Sequence, residues 1–136
     1  MNARITPPVL EPALALERLG QAWDNDILRQ LTEYIAIPAK SPMFAPDWAQ
    51  QGLLDTVVRN AAAWVEAQKV AGLRLEIVRL PGRTPVLFFE IDATQATATQ
   101  TVLMYGHLDK QPEFSGWRSD LGPWTPKYED GKLYGR

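Results

Sequence analysis

Residues 101–112 read TVLMYGHLDKQP, and this stretch holds the only histidine of the chain. The uncharged run TVLMY ends at Gly106, and His107 and Asp109 follow two positions apart. Such a run, with polar residues on both sides, predicts a strand over residues 101–106 that is buried on both faces. In open α/β sheets ligands collect beyond the carboxyl ends of strands, and His107 stands at such an end. If the chain stays extended, residues 107 and 109 project to the same side. A carboxylate there accepts the second N–H of the imidazole and so fixes the tautomer of a metal-binding ring. An ordinary hydrogen-bonded surface pair has the same spacing, so the residues alone leave both readings open. The pair is no hydrolytic triad, since no Gly-x-Ser-x-Gly elbow accompanies it.

Upstream, the periodicity is helical. The opening carries Pro7, Pro8 and Pro12 and predicts an extended lead; Pro12 suits a first helical turn, with ALALERL following it up to Gly20. A second helix is predicted in NDILRQLTEYIAIPAKSP, capped by Asn25, with Ile27, Leu28, Leu31, Tyr34 and Ile35 on one face. Pro38 should end it, because the residue before a proline is pushed out of the helical region. A loop, IPAKSPMFAP, separates it from a longer predicted helix over Asp47 to Ala71. Asp47 and Gln50 are a candidate capping pair there, Gly72 the stop, and Leu54, Val58, Ala61 and Val65 the buried stripe.

The period then changes. LRLEIVRL alternates over residues 73–80, PGRTP is a turn, and PVLFFEID follows, which predicts neighbouring antiparallel strands. ATQATATQ is a polar connector to the 101–106 strand. The tail PWTPKYEDGKLYGR predicts a hairpin turning at Asp130-Gly131. Helices first and strands afterwards indicate an α/β fold, a mixed sheet flanked by helices.

The chain has 136 residues, 46% of them hydrophobic and 22% charged, which suits one domain with a sizeable core. Its net charge of −2 and lack of a basic cluster point away from nucleic acid and anionic membranes. With no cysteine, thiol nucleophiles and cysteine-based zinc sites are excluded. The first residues lack the pattern of a signal peptide and no apolar run reaches the ~18 residues of a membrane span, so a cytoplasmic protein is the default expectation.

The motif GHLDKQP, then GW at 116–117, PW at 123–124 and GKLYGR at 131–136, resembles the aminoacylase/carnosinase-type zinc metallopeptidases. Members carry Gly-His-x-Asp-x-x-Pro at the end of an apolar strand and later a Gly-[Lys/Arg]-Leu-Tyr-Gly-Arg-Gly segment running into an Asp-Asp pair. Gly106, His107, Asp109, Pro112, Gly131, Lys132, Leu133, Tyr134, Gly135 and Arg136 match in order, and EYIAIPAKSP is similar to the family's opening helix and loop. The resemblance implies that residues 1–136 are the amino-terminal part of a zinc-exopeptidase-like catalytic domain. The remaining ligands, the general-base glutamate and the lid or dimerisation domain would lie beyond Arg136.

It further implies that His107 ligates one of two zinc ions, with cobalt or manganese as alternative metals, and that Asp109 is the catalytic-site aspartate that orients it. The implied reaction is hydrolysis of a dipeptide or C-terminal amide bond by a water that two metals activate. The long loop with GW and PW resembles the dipeptidase and carboxypeptidase branch more than the small deacylases. An N-acyl-amino-acid deacylase is the alternative within the family, and a non-catalytic binding domain the alternative outside it. The implied partners are a small peptide or N-acyl amino acid and, in the complete protein, a second copy forming a homodimer.

Other residues invite less. Trp117 and Trp124 could wall a substrate pocket, though large aromatics more often fill a core or cover a loop. Lys132 and Arg136 could meet a carboxylate, a solvated hairpin being the simpler reading of Lys132. Glu129 and Asp130 read as turn chemistry, and Ser41 has no base beside it.

A zinc site needs about three protein ligands. With one histidine and no cysteine, the 136 residues alone are expected neither to hold stoichiometric zinc nor to hydrolyse peptides. Elemental analysis after dialysis and a dipeptide panel check this; one zinc per chain with hydrolysis would contradict it.

Overall fold

A computed structural model describes residues 11–136; the predicted extended lead at Pro7 and Pro8 lies outside them. The element order is α1 (Pro12–Ala22), a π-helical turn (Trp23–Ile27), α2 (Leu28–Ile35), α3 (Trp48–Gln51), α4 (Leu53–Ala67), β1 (Leu73–Val78), β2 (Val86–Ile91), β3 (Lys127–Glu129) and β4 (Lys132–Tyr134). The fold is mixed α and β, as the pattern predicts, but the described strands form two separate two-stranded antiparallel sheets and not the single mixed sheet expected.

Pro12 occupies the first turn of α1, where its missing N–H costs nothing. The expected break before a second helix is absent. Backbone hydrogen bonding continues through the π-helical turn, so Asn25 caps nothing. That turn carries Asp24, Asn25 and Asp26, poor helix formers, and a wider loop of backbone is its accommodation. It also serves packing between helices: Asp26 accepts a hydrogen bond from the indole N–H of Trp64 in α4 at 2.7 Å. Asp26 further accepts from Arg29 at 3.0 Å. The Trp64 N–H, foremost among these donors, holds the Asp26 carboxyl below the usual carboxylate range. α2 ends at Ile35, ahead of Pro38, as expected.

The second long helix is also divided differently. Gly52, in the left-handed region at φ +67°, separates α3 from α4, a conformation that glycine adopts without steric cost. Asp47 precedes α3 without a side-chain cap, so the Asp47–Gln50 pair does not form. α4 stops at Ala67, and Gly72 instead shapes the turn into β1. The buried face of α4 is Leu54, Val57, Val58 and Ala62. Leu54 and Val58 are in the stripe as expected, whereas Ala61 and Val65 are only partly covered and Val57 and Ala62 take the buried positions beside them.

β1 and β2 pair antiparallel, Leu73 opposite Ile91 through Val78 opposite Val86. α4 lies against both strands. β3 and β4 form the predicted hairpin; Asp130 at φ 51° and Gly131 at φ 73° both sit in the left-handed region that a tight two-residue turn demands.

The strand expected over residues 101–106 does not form. A strand exists only by pairing, and no described strand runs beside this segment. Val102, Leu103, Met104 and Tyr105 are 85–92% exposed. The parallel pairing among the described residues is a single bridge, Lys40 to Lys110.

The central core is Ala39, Leu54 and Val57, with Tyr34, Ile37, Trp48, Leu53 and Leu108 packed on it. Leu108 belongs to the His107 loop, so that loop is part of the core's wall. Leu54→Ala should cost about 2–5 kcal/mol, while Leu16→Ala, at a position 71% exposed, should change stability by less than about 0.5 kcal/mol. Urea titration would show this as a lowered midpoint at constant slope for the first variant alone.

Candidate active site

A pocket of about 290 Å³ is lined by Tyr34, His107, Asp109, Lys110, Gln111, Gly135 and Arg136. Three separate regions build it: the end of α2, the GHLDKQP loop, and the residues after β4. His107 and Asp109, singled out by their spacing, are both there.

The imidazole Nδ1 of His107 lies 3.0 Å from the backbone oxygen of Asp109 and 3.2 Å from its carboxylate Oδ1. Two acceptors at one ring nitrogen place the proton of a neutral imidazole on Nδ1. Nε2 then carries the free lone pair, and the side chain is 63% exposed. A histidine so arranged suits one coordination position on a divalent metal. Among the described residues no cluster of three histidine or acidic side chains is placed to hold a metal ion. The donors therefore fit one ligand and its orienting partner.

Lys110, which sequence reasoning passed over, is 5% exposed. Its ammonium donates to the backbone oxygens of Tyr34 at 2.5 Å, Ile35 at 3.1 Å and Ile37 at 2.7 Å. Three donors thus meet three acceptors at the end of α2, where a cation suits the helix dipole; the Tyr34 and Ile37 carbonyls also accept from the Ile37 and Ala39 N–H groups. The Tyr34 ring covers the ammonium at 4.1 Å and Trp124 approaches at 5.3 Å. Burial pushes the Lys110 pKa down to about 8, which still leaves an ammonium at neutral pH.

The backbone repeats the attachment. Lys110 N–H donates to Ala39 and its carbonyl accepts from Ser41 N–H, both at 2.9 Å. The Tyr34 hydroxyl donates to the Leu108 carbonyl at 2.9 Å. Ser41 thus acts through its backbone.

Arg136 Nε donates to the Pro112 carbonyl at 3.0 Å, and its guanidinium lies 4.8 Å from the Phe114 ring, so it ties the tail to the loop. Trp117 and Trp124 do not line the pocket. Trp117 donates to the Glu113 carbonyl at 3.0 Å, and Trp124 covers Lys110 from outside. Glu129 pairs with Arg118 at 2.9 Å, and Asp130 makes the turn. Lys132 lies away from the pocket.

No protein-family model matches the chain. Among curated proteins it is 31% identical over 131 residues to a Beta-Ala-His dipeptidase of Mus musculus. It is 30% identical over 131 residues to that of Rattus norvegicus and 32% over 141 residues to that of Homo sapiens. These alignments cover 89%, 89% and 96% of this chain but 26% of each relative. The chain therefore spans about a quarter of the length of the curated relatives it matches, and its similarity to these dipeptidases extends over most of its own length.

Gly135 meets Ile35 so closely that an added Cβ would collide with the Ile35 side chain. Gly135→Ala should cost about 1–3 kcal/mol by overpacking. Gly20→Ala in α1, where a Cβ meets nothing within 4 Å, should instead stabilise by about 0.5–1 kcal/mol. Thermal melts of both variants check the opposite signs.

Proposed function

We propose that this chain forms the amino-terminal part of the catalytic domain of a metal-dependent dipeptidase. His107 offers Nε2 as a ligand to one divalent ion, and Asp109 holds the ring. The observation that carries this reading is the pair of Asp109 oxygens on His107 Nδ1, which leaves Nε2 bare at a pocket. The similarity to Beta-Ala-His dipeptidases over most of the chain supports it and favours a small peptide as substrate. Zinc is the metal such an imidazole suits, with cobalt or manganese as alternatives, and the donors that complete the site come from outside the described residues. When bound, the metal supplies the Lewis acidity that amide hydrolysis requires.

The chain's own residues have narrower tasks. Asp109 keeps the proton on Nδ1 and so keeps the Nε2 lone pair available. Tyr34, Gln111 and Arg136 shape the pocket beside it. A cytoplasmic location and a homodimer belong to the same proposal.

In the complete protein, His107→Ala should lose metal and at least about 100-fold in dipeptide turnover. Asp109→Asn should keep most of the metal and lose about 10–100-fold, the usual scale for a group that orients a ligand. Metal analysis alongside a dipeptide assay separates the two. Full activity in either variant, with metal content confirmed, would refute the roles. Hydrolysis of N-acyl amino acids in place of dipeptides would move the substrate to the deacylase class. A metal-loaded protein that cleaves neither would be a binding domain.

A further inference from the structure

The ring of His107 has to be held by something, and the residues before it do not hold it. Among the described residues, no backbone–backbone hydrogen bond ties residues 101–107 to the rest of the chain. Residues 102–105 are almost wholly exposed. The order comes from the other side, from residues 108–110.

We infer that Lys110 and Tyr34 are positioning residues for His107, acting by pinning the two peptide planes that flank Asp109. The peptide joining Asp109 to Lys110 is planar and trans, so its N–H and C=O point in opposite directions. Its N–H is fixed to the Ala39 carbonyl at 2.9 Å. Its C=O therefore faces away from Ala39, and that is the oxygen that accepts from His107 Nδ1 at 3.0 Å. The preceding peptide is held at its Leu108 carbonyl by the Tyr34 hydroxyl at 2.9 Å. The Lys110 ammonium locks this arrangement to the end of α2 through three carbonyls, one of them that of Tyr34 itself. With both planes fixed, Asp109 presents its backbone oxygen and its carboxylate to the same ring nitrogen. Neither Lys110 nor Tyr34 touches the imidazole through its polar atoms; each acts through the backbone of Asp109.

The consequence for metal affinity rests on the reading of His107 as a ligand, but the positioning itself is testable without metal or substrate. The chain carries one histidine, so the imidazole signals of ¹⁵N-histidine-labelled protein belong to His107 alone. At a pH where the ring is neutral, the wild-type chain should show the Nδ1–H tautomer as the major form. Lys110→Met and Tyr34→Phe should each shift the majority to the Nε2–H tautomer that solvated histidine prefers, with helical circular dichroism intact. Tyr34→Phe, which removes a single oxygen, carries the decision should Lys110→Met unfold. An Nδ1–H majority retained in folded Tyr34→Phe, or an Nε2–H majority in the wild type, would overturn the inference. Because the tautomer readout needs no turnover, it can fail while dipeptide hydrolysis is observed, and it can succeed in a chain that hydrolyses nothing.

Discussion

The ammonium of Lys110, buried at the end of α2 and donating to the carbonyls of Tyr34, Ile35 and Ile37, is the contact on which the candidate site depends. A buried charge is costly unless its hydrogen-bonding capacity is met, and here all three protons have acceptors. The same contact adds a charged donor to carbonyls at a helix terminus, among them that of Ile35. Because each side needs the other, helix end and loop are held in one arrangement. Leu108 adds an apolar attachment to the core of Ala39, Leu54 and Val57. The close approach of Gly135 to Ile35 then brings the tail against the same helix end.

What this arrangement delivers is a direction for one imidazole. The Asp109 oxygens occupy Nδ1, and the lone pair of Nε2 is left free at the pocket. A carboxylate behind a histidine restricts its rotation, which strengthens it as a ligand. The surrounding surface pairs contribute little by comparison. Arg74 with Asp92, and Lys127 with Asp120, are exposed and screened by solvent.

Local chemistry was legible in the sequence. Asp130-Gly131 specifies a hairpin because both residues accept positive φ. LRLEIVRL and PVLFFEID alternate and pair, and Pro38 follows closely on the last turn of α2. The two-residue spacing of His107 and Asp109 pointed to a pair, and both line one pocket. What was not legible depends on distant partners. The π-helical turn answers to Trp64, far along the chain, which reaches back to Asp26. The break at Gly52 was hidden inside a good helical period. Residues 101–106 have the composition of a central strand, but pairing decides a strand, and no described strand offers an edge. Lys110 gave no signal at all, since a lysine in a loop reads as solvated until the helix end that receives it is known.

Backbone hydrogen exchange on the 136-residue chain tests most directly whether the loop is held from the helix end instead of from the segment before it. The amides of Lys110 and Ser41, bonded to the carbonyls of Ala39 and Lys110, should exchange orders of magnitude more slowly than those of Val102 to Tyr105. Protection across residues 102–105 with rapid exchange at Lys110 would contradict the account, because the histidine would then be positioned by a strand.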